Sequence, residues 1–371
     1  MLSNKALIPE GFKDQVDFNT NVEHEYKNKI INIFISNGFN LVKPPLIEFL
    51  QNKISNSFLI NTKKKEQKLF IRDDITPQII RIASSRFKNK TRPIKLCYYG
   101  EVIRKQGTML RPERQFLQVG SEIIGSSSIL ADIEIINLAY KSLKEIGVKN
   151  ITLELTTNKF MDEIFSEIND IESLNKLKMF IKLKDINNSI AFIKNKKHKI
   201  QLEHLFKLTG NLKEISKKIN TMIISDPVTE EIEKIKNIIK KINFKKDDQI
   251  ILNFTEFKDK NYHDGIRFTF FARDVRGEIA SGGRYKINKD LKEESAVGFT
   301  CFMDTILRAS SFENRSKKIL IPFDTEEKIK NNLIKKKYII CCFFGNTSDI
   351  DLFANQYECT HVLKNNTIKK I

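Results

Sequence analysis

The chain has 371 residues, 40% hydrophobic and 30% charged, with a formal net charge of +18. That length suits about two or three domains, and the apolar fraction supports a sizeable core and excludes global disorder. No apolar run approaches ~18 residues, which excludes a helical membrane span, and the opening MLSNKALIPEGFKD lacks the apolar core of a signal peptide.

Residues 21–37 place Val22, Tyr26, Ile30, Ile33 and Phe34 at helical spacing, with Gly38 as a stop. FNLVKPPLIEF (39–49) reads as extended, with Pro44 and Pro45 ending or edging a strand. Residues 51–66 read as a Lys-rich loop and KLFIR (68–72) as a strand. Thr76 followed by Pro77 predicts an N-cap and a first-turn proline, opening a helix with Ile79, Ile80, Ala83 and Phe87 inward.

Residues 97–124 predict two strands joined by a basic loop. Alternation puts Val102 and Arg104 on one face of the first strand. On the second, Phe116, Gln118, Gly120 and Glu122 share a face, and Leu117, Val119, Ser121 and Ile123 form an ordinary core face. An arginine, an amide and a carboxylate beside a glycine suit a small zwitterion, because the guanidinium forks onto a carboxylate and the acid takes an ammonium or imidazole N–H. A solvated sheet face is the plain alternative.

Residues 129–146 predict an amphipathic helix ending at Gly147, and ITLEL (151–155) a strand. From about Met161 to Asn243 strand signals vanish. Leu174, Leu177 and Ile181, then Leu202, Leu205 and Phe206, then Ile232, Ile235 and Ile239 mark successive short helices, a helical insertion. TGN (209–211), at a helix stop with no strand before it, is a weak phosphate-loop signal. Strand character resumes at 249–255 and 266–273. In GEIASGGRY (277–285), Gly282 and Gly283 favour a tight turn or permit close backbone approach to a ligand. Residues 293–308 read as a strand into a helix, and 312–317 as a charged linker. The tail carries strands in KILIPF, KYIICCFFG and THVL and a helix at 325–336, with Cys341 and Cys342 as buried strand residues.

Five cysteines (Cys97, Cys301, Cys341, Cys342, Cys359) without a CxxC pair read as reduced thiols of a cytoplasmic protein. The positive charge is mostly lysine on solvated faces; a nucleic-acid surface is the alternative. Of the 64 basic residues only 13 are arginine; seven lie between Arg72 and Arg114 and four between Arg267 and Arg284. In a lysine-biased chain, arginine persists where a planar fork is needed, so these two stretches mark a site.

The order of segments resembles the catalytic core of class II aminoacyl-tRNA synthetases, specifically histidyl-tRNA synthetase. GFNLVKPPLIE resembles motif 1, which usually builds a dimer interface; LFIRDDITPQIIR resembles the LRPEGT segment; VIRKQ with RQFLQVGSEIIG resembles motif 2. KNYHDG (260–265) resembles the histidine-specific LDYYTG segment, IASGGRY the glycine-rich strand after it, and AVGFTCFMDTILR (296–308) motif 3. The implied fold is α+β: an antiparallel sheet flanked by helices over residues 1–312, with the helical insertion at about 161–245, and a small C-terminal α/β domain at 318–371.

The resemblance also implies a histidine site. Asp74 and Thr76 match the groups on the α-amino group, Arg104 and Gln118 those on the carboxylate side, and Glu122 the carboxylate facing the imidazole. His263 and Tyr285 match two tyrosines there. Motif 2 of the synthetases reads Phe-Arg-x-Glu, and here Gln106 replaces the Glu. Motif 3 carries a glycine, an acid and an arginine for the ATP γ-phosphate, where this chain has Phe302, Asp304 and Thr305. Lys258-Asp259 replaces the Arg-Gly before the histidine-specific segment.

A kept histidine pocket beside a broken ATP motif is similar to the regulatory subunits of ATP phosphoribosyltransferase, as are IPEGF (8–12), LCYYGEVIR (96–104) and CTHVL (359–363). That resemblance implies a chain without chemistry, cofactor or metal of its own. It implies a homodimeric core assembled with a short catalytic subunit that condenses ATP with phosphoribosyl pyrophosphate, with L-histidine as the inhibiting effector. No acidic pair followed by TGxT, the phosphoribosyl loop, occurs in the chain. A divergent histidyl-tRNA synthetase and a tRNA-binding paralogue are the alternatives.

Overall fold

The computed structural model describes residues 7–49, 56–61, 68–212, 215, 226–257, 265–289, 292–310, 317–345 and 349–371. The chain forms two compact units, residues 1–311 and 312–371. The expected linker at 312–317 lies outside the described residues except for Lys317.

The first unit is built on a nine-stranded sheet in the order β1-β5-β6-β12-β11-β10-β7-β9-β8. Its strands are β1 (Asn40–Val42), β5 (Ile94–Ile103), β6 (Gln115–Ile124), β7 (Ile151–Thr157), β8 (Gly210–Asn211), β9 (Gln249–Leu252), β10 (Ile266–Ala272), β11 (Ala280–Lys289) and β12 (Lys292–Phe302). The central pairs are antiparallel, while β1 with β5 and β7 with β9 run parallel, so the sheet is mixed towards its edges.

Strand alternation divides this sheet into two faces. Leu117, Val119, Ile123, Leu153, Leu155, Phe268, Phe270, Val297 and Phe299 point one way, into the main core. There they meet helices α1 (Asp17–Ser36) and α3 (Ile129–Glu145) through Tyr26, Ile30, Phe34, Ile135 and Ile136. Phe34 is fully buried and meets Phe299 edge-on at 5.5 Å. The opposite face of β5 and β6 is covered by α2 (Thr76–Ser85), whose Ile79 and Ala83 pack with Leu96, Tyr98, Val102 and Phe116. That face is therefore buried, not solvated.

The predicted helical stretch holds α4 (Lys159–Phe165), α5 (Ile171–Lys182), α6 (Ile186–Ala191), α7 (Lys196–Lys207) and α8 (Asp226–Lys241). Leu177, Ile181, Leu202, Leu205, Ile232 and Ile235 join the main core. Met303–Ala309 forms α9 directly after β12.

Several local expectations are corrected. The supposed loop at 51–66 contains a strand, β3 (Phe58–Ile60). It pairs with β4 (Leu69–Ile71), which also pairs with β2 (Ile47–Phe49); three residues are too few to show a period. Ile75, not Thr76, is the N-cap of α2; Thr76 sits in the first turn and turns its hydroxyl to Tyr98 and Glu122. TGN contributes β8, which pairs with β9, so it closes a sheet edge. Gly282 and Gly283 make no turn: both lie inside β11. A Cβ on Gly282 would lie 2.2 Å from the Gly298 carbonyl oxygen, so strand packing selects glycine there.

The second unit has a four-stranded sheet in the order β14-β13-β15-β16, from β13 (Lys317–Pro322), β14 (Tyr338–Phe343), β15 (His361–Lys364) and β16 (Thr367–Lys370). Helices α10 (Glu327–Lys335) and α11 (Ile350–Phe353) lie between them in sequence. Cys341 and Cys342 are only half-buried, because β14 is an edge strand, whereas Cys359 is buried.

Because Phe34 ties α1 to the centre of the sheet, Phe34→Ala is expected to cost about 3–5 kcal/mol of stability. Urea unfolding followed by circular dichroism measures it; a loss below about 1 kcal/mol would place α1 outside the cooperative unit.

Candidate functional site

The register aligns the inner-face residues in rows across the strands. One row reads Leu96, Glu122, Gly298, Gly283, Arg267 and Thr156, from β5 to β7. The next reads Tyr98, Gly120, Thr300, Ser281, Thr269 and Glu154. Beyond the edge of α2 these rows floor a cavity of about 660 Å³. Asp74, Thr76, Arg104, Gln118, Glu122 and Tyr285 all line it. Six of the seven residues expected from the sequence thus meet at one place. The seventh, His263, lies outside the described residues, as do Lys258 and Asp259.

Glu122 is the centre of the amino-acid end. Its carboxylate is 1% exposed and accepts hydrogen bonds from the Thr76 hydroxyl at 3.1 Å and the Tyr285 hydroxyl at 3.0 Å. Glu122 can occupy this place because its neighbour is Gly298: a Cβ there would lie 1.6 Å from Glu122 Oε2. Burial pushes the Glu122 carboxyl up to about 8, opposed by the Tyr285 and Thr76 hydrogen bonds and reinforced by Asp74. The Tyr98 hydroxyl bridges the network, 3.2 Å from Thr76 Oγ1 and 2.8 Å from Thr300 Oγ1.

Asp74 stands at the start of α2. Burial raises its carboxyl, while the Arg104 guanidinium and a Gln118 hydrogen bond pull it back. Gln118 is committed to the chain itself: its Oε1 accepts from the Ile75 N–H at 3.2 Å. It therefore fixes the entry to α2 and leaves Arg104 as the cation at the carboxylate side. Arg104 lies over the Phe116 ring, 4.9 Å from its centroid, which holds the fork flat. Asp74 and Arg104 set an acid and a cation side by side, the complements of an ammonium and a carboxylate, with the Glu122 and Tyr285 pair further along.

The end matching the synthetases' ATP site is filled by a residue the sequence analysis passed over. Arg111, 3% exposed, enters from the loop between β5 and β6 and lies over Phe302, 3.9 Å from its centroid. Its Nε donates to Asp304 at 3.1 Å and its Nη2 to Thr305 Oγ1 at 3.2 Å and the Glu278 carbonyl at 2.9 Å. The two departures in motif 3, Phe302 and Thr305, together with the kept acid Asp304 thus form one seat for Arg111. The arginine clustering pointed at this loop but not at where the side chain goes.

A family model described as histidyl-tRNA synthetase matches residues 11–306. An ATP phosphoribosyltransferase regulatory subunit of Clostridium botulinum strain Langeland is 30% identical over 363 residues, covering 90% of this chain and 85% of the relative. The chain belongs to the histidyl-tRNA synthetase family, in the branch of the ATP phosphoribosyltransferase regulatory subunits.

A second member of that branch, from Paramagnetospirillum magneticum, is 27% identical over 375 residues and 97% of each chain. Among solved structures, an ATP phosphoribosyltransferase regulatory subunit/histidyl-tRNA synthetase of Bacillus halodurans superposes with a TM-score of 0.75 at 18% identity, over 95% of this chain and 96% of that one. A chain of the ATP phosphoribosyl transferase complex of Thermotoga maritima gives 0.61 at 19% identity, over 77% and 98%. Both share the class II fold expected from the motif order.

The raised carboxyl of Glu122 sets a sign. Below about pH 4.5 it is protonated folded and unfolded; between there and about 8 only the unfolded chain gives up the proton, so its contribution to stability falls as pH rises and levels off above 8. Glu122→Gln, which stays neutral, is expected to gain on the wild type between pH 5 and 8.5 in urea midpoints; a constant difference across that range would show that Glu122 stays ionised throughout.

Proposed function

We propose that the chain serves as the regulatory subunit of an ATP phosphoribosyltransferase, with no transferase or aminoacylation chemistry of its own. A dimer of it assembles with a short catalytic subunit, which supplies the condensation of ATP with phosphoribosyl pyrophosphate. L-histidine binds among Asp74, Thr76, Arg104, Gln118, Glu122 and Tyr285 and inhibits that subunit through the complex.

One observation carries this reading: the two ends of the site have opposite fates. The amino-acid end keeps an open cavity with its acids, arginine and tyrosine in place. The nucleotide end is occupied by the chain's own Arg111, stacked on Phe302 and bonded to Asp304 and Thr305. A polyanion entering there meets no free arginine fork at position 305 and must displace a buried ion pair. Binding an amino acid without activating it is the behaviour of a sensor. The family branch and the neighbouring Thermotoga complex support the partner.

The purified chain alone is expected to give no histidine-dependent ATP–pyrophosphate exchange. Mixed with a short catalytic subunit from the same genome, it should co-elute and make product formation sensitive to histidine. Robust exchange by the chain alone would favour the synthetase reading.

At about pH 8.5, where Glu122 is largely ionised, Glu122→Gln replaces a charge-assisted hydrogen bond to the imidazole, worth about 1.5–3 kcal/mol. It should weaken histidine roughly ten- to a hundredfold in calorimetry of the complex. Unchanged affinity would move the effector site elsewhere.

A further inference from the structure

The cavity is longer than one amino acid. From β6 to β7 it crosses five neighbouring strands, about 19 Å at the usual strand spacing. In the row that starts at Glu122, the next two positions are glycines, Gly298 and Gly283, and the fourth is Arg267. The glycines add no side chain of their own: the Glu122 carboxylate lies beside Gly298 and the Arg267 stem beside Gly283, so the row carries one polar cluster at each end. An amino acid held by Asp74, Arg104 and Glu122 fills one of them.

The other cluster lies at the β10–β7 end. Arg267, Thr269 and Phe271 of β10 face the cavity, with Glu154 and Thr156 of β7 and with Asn253 and Glu256 beyond β9. Arg267 is 4% exposed. Among the described residues its Nη2 donates to the Glu256 carbonyl at 3.3 Å and its Nε–H has no acceptor. Leaving a buried charged donor unmet is costly, and such a group is normally satisfied by a partner. Glu154 is one register step from Arg267 on the adjoining strand, a diagonal of about 7–8 Å between Cα atoms. The two share the cavity face, yet Glu154 accepts from Asn253 Nδ2 at 3.1 Å instead of pairing with the guanidinium. Two opposite charges thus face one space without meeting in it.

We propose that the β10–β7 end of the pocket is a second subsite, for a zwitterion of the α-amino-acid class, with its carboxylate on Arg267 and its ammonium on Glu154. The charge balance selects this class. One guanidinium beside the carboxylates of Glu154 and Glu256 suits a carboxylate that brings its own cation, while a phosphate dianion would meet two like charges. Thr156 and Thr269 add hydroxyls, and Phe271 an apolar wall. The subsite stands whether or not Glu122 reads an imidazole.

The test is calorimetric titration of L-histidine, and separately of acetate, into the full-length chain. Two histidine sites per chain are expected. Arg267→Met should abolish one and leave the other within twofold, and a thermal melt should show it folded, since methionine fills the same space without a charge. Glu122→Gln should weaken the other site ten- to a hundredfold and leave the Arg267 site unchanged, which separates failure of the histidine reading from failure of this one. Acetate should bind the Arg267 site at least tenfold more weakly than histidine, lacking the ammonium. A wild-type site count that Arg267→Met leaves unchanged, whether one or two, or acetate binding as tightly as histidine, would each overturn the proposal; a single site that Arg267→Met abolishes would uphold it and overturn the Glu122 reading instead.

Discussion

Glu122 is a carboxylate placed where water does not reach, and much of the surrounding structure follows from keeping it there. The strand beside it must carry Gly298, because any side chain would strike the carboxylate. Helix α2 must begin where it does, so that Thr76 reaches Glu122 with its hydroxyl. Gln118 holds that helix entry through the Ile75 N–H, and Tyr285 closes the other side of the carboxylate. A buried acid is expensive unless its lone pairs are met, and here strand register, helix start and ring position all meet them.

The two ends of the site differ in electrostatic state. At the amino-acid end, the acids are lifted by burial and have capacity left for an incoming cation or donor. At the end that matches motif 3, Arg111 meets Asp304, Thr305 and Glu278, so its guanidinium is held by the chain itself.

Much of this was legible in the sequence. The alternation in 115–124 separated the Gln118–Glu122 face from the core face because strand period is strict over ten residues. Arginine clustering drew attention to both stretches that contribute guanidinium groups to the pocket and its closed end. What escaped had physical reasons. Strands of two to four residues, such as β3, β8 and β16, are too short to show a period. Gly282 and Gly283 looked like a turn because glycine's backbone freedom suits one, and only the approach of β12 to Gly282 and of β10 to Gly283 explains them. Arg111 sits in an irregular loop, where sequence carries no information on direction. Arg267 could have been found: in IRFTFFA it occupies the face opposite Ile266, Phe268 and Phe270.

The seat of Arg111 bears on what position 305 can accept. Suppose position 305 carried an arginine. Its guanidinium would arrive against one already held by Asp304 and stacked on Phe302, and like charges would oppose each other in a closed space. Removing Arg111 first would leave Asp304, which is 6% exposed, with the longer contact to Arg308 at 3.9 Å as its countercharge. Either single step costs stability. Arg111 and its seat are therefore entrenched together: a change at either is tolerated only with compensating changes in its neighbours.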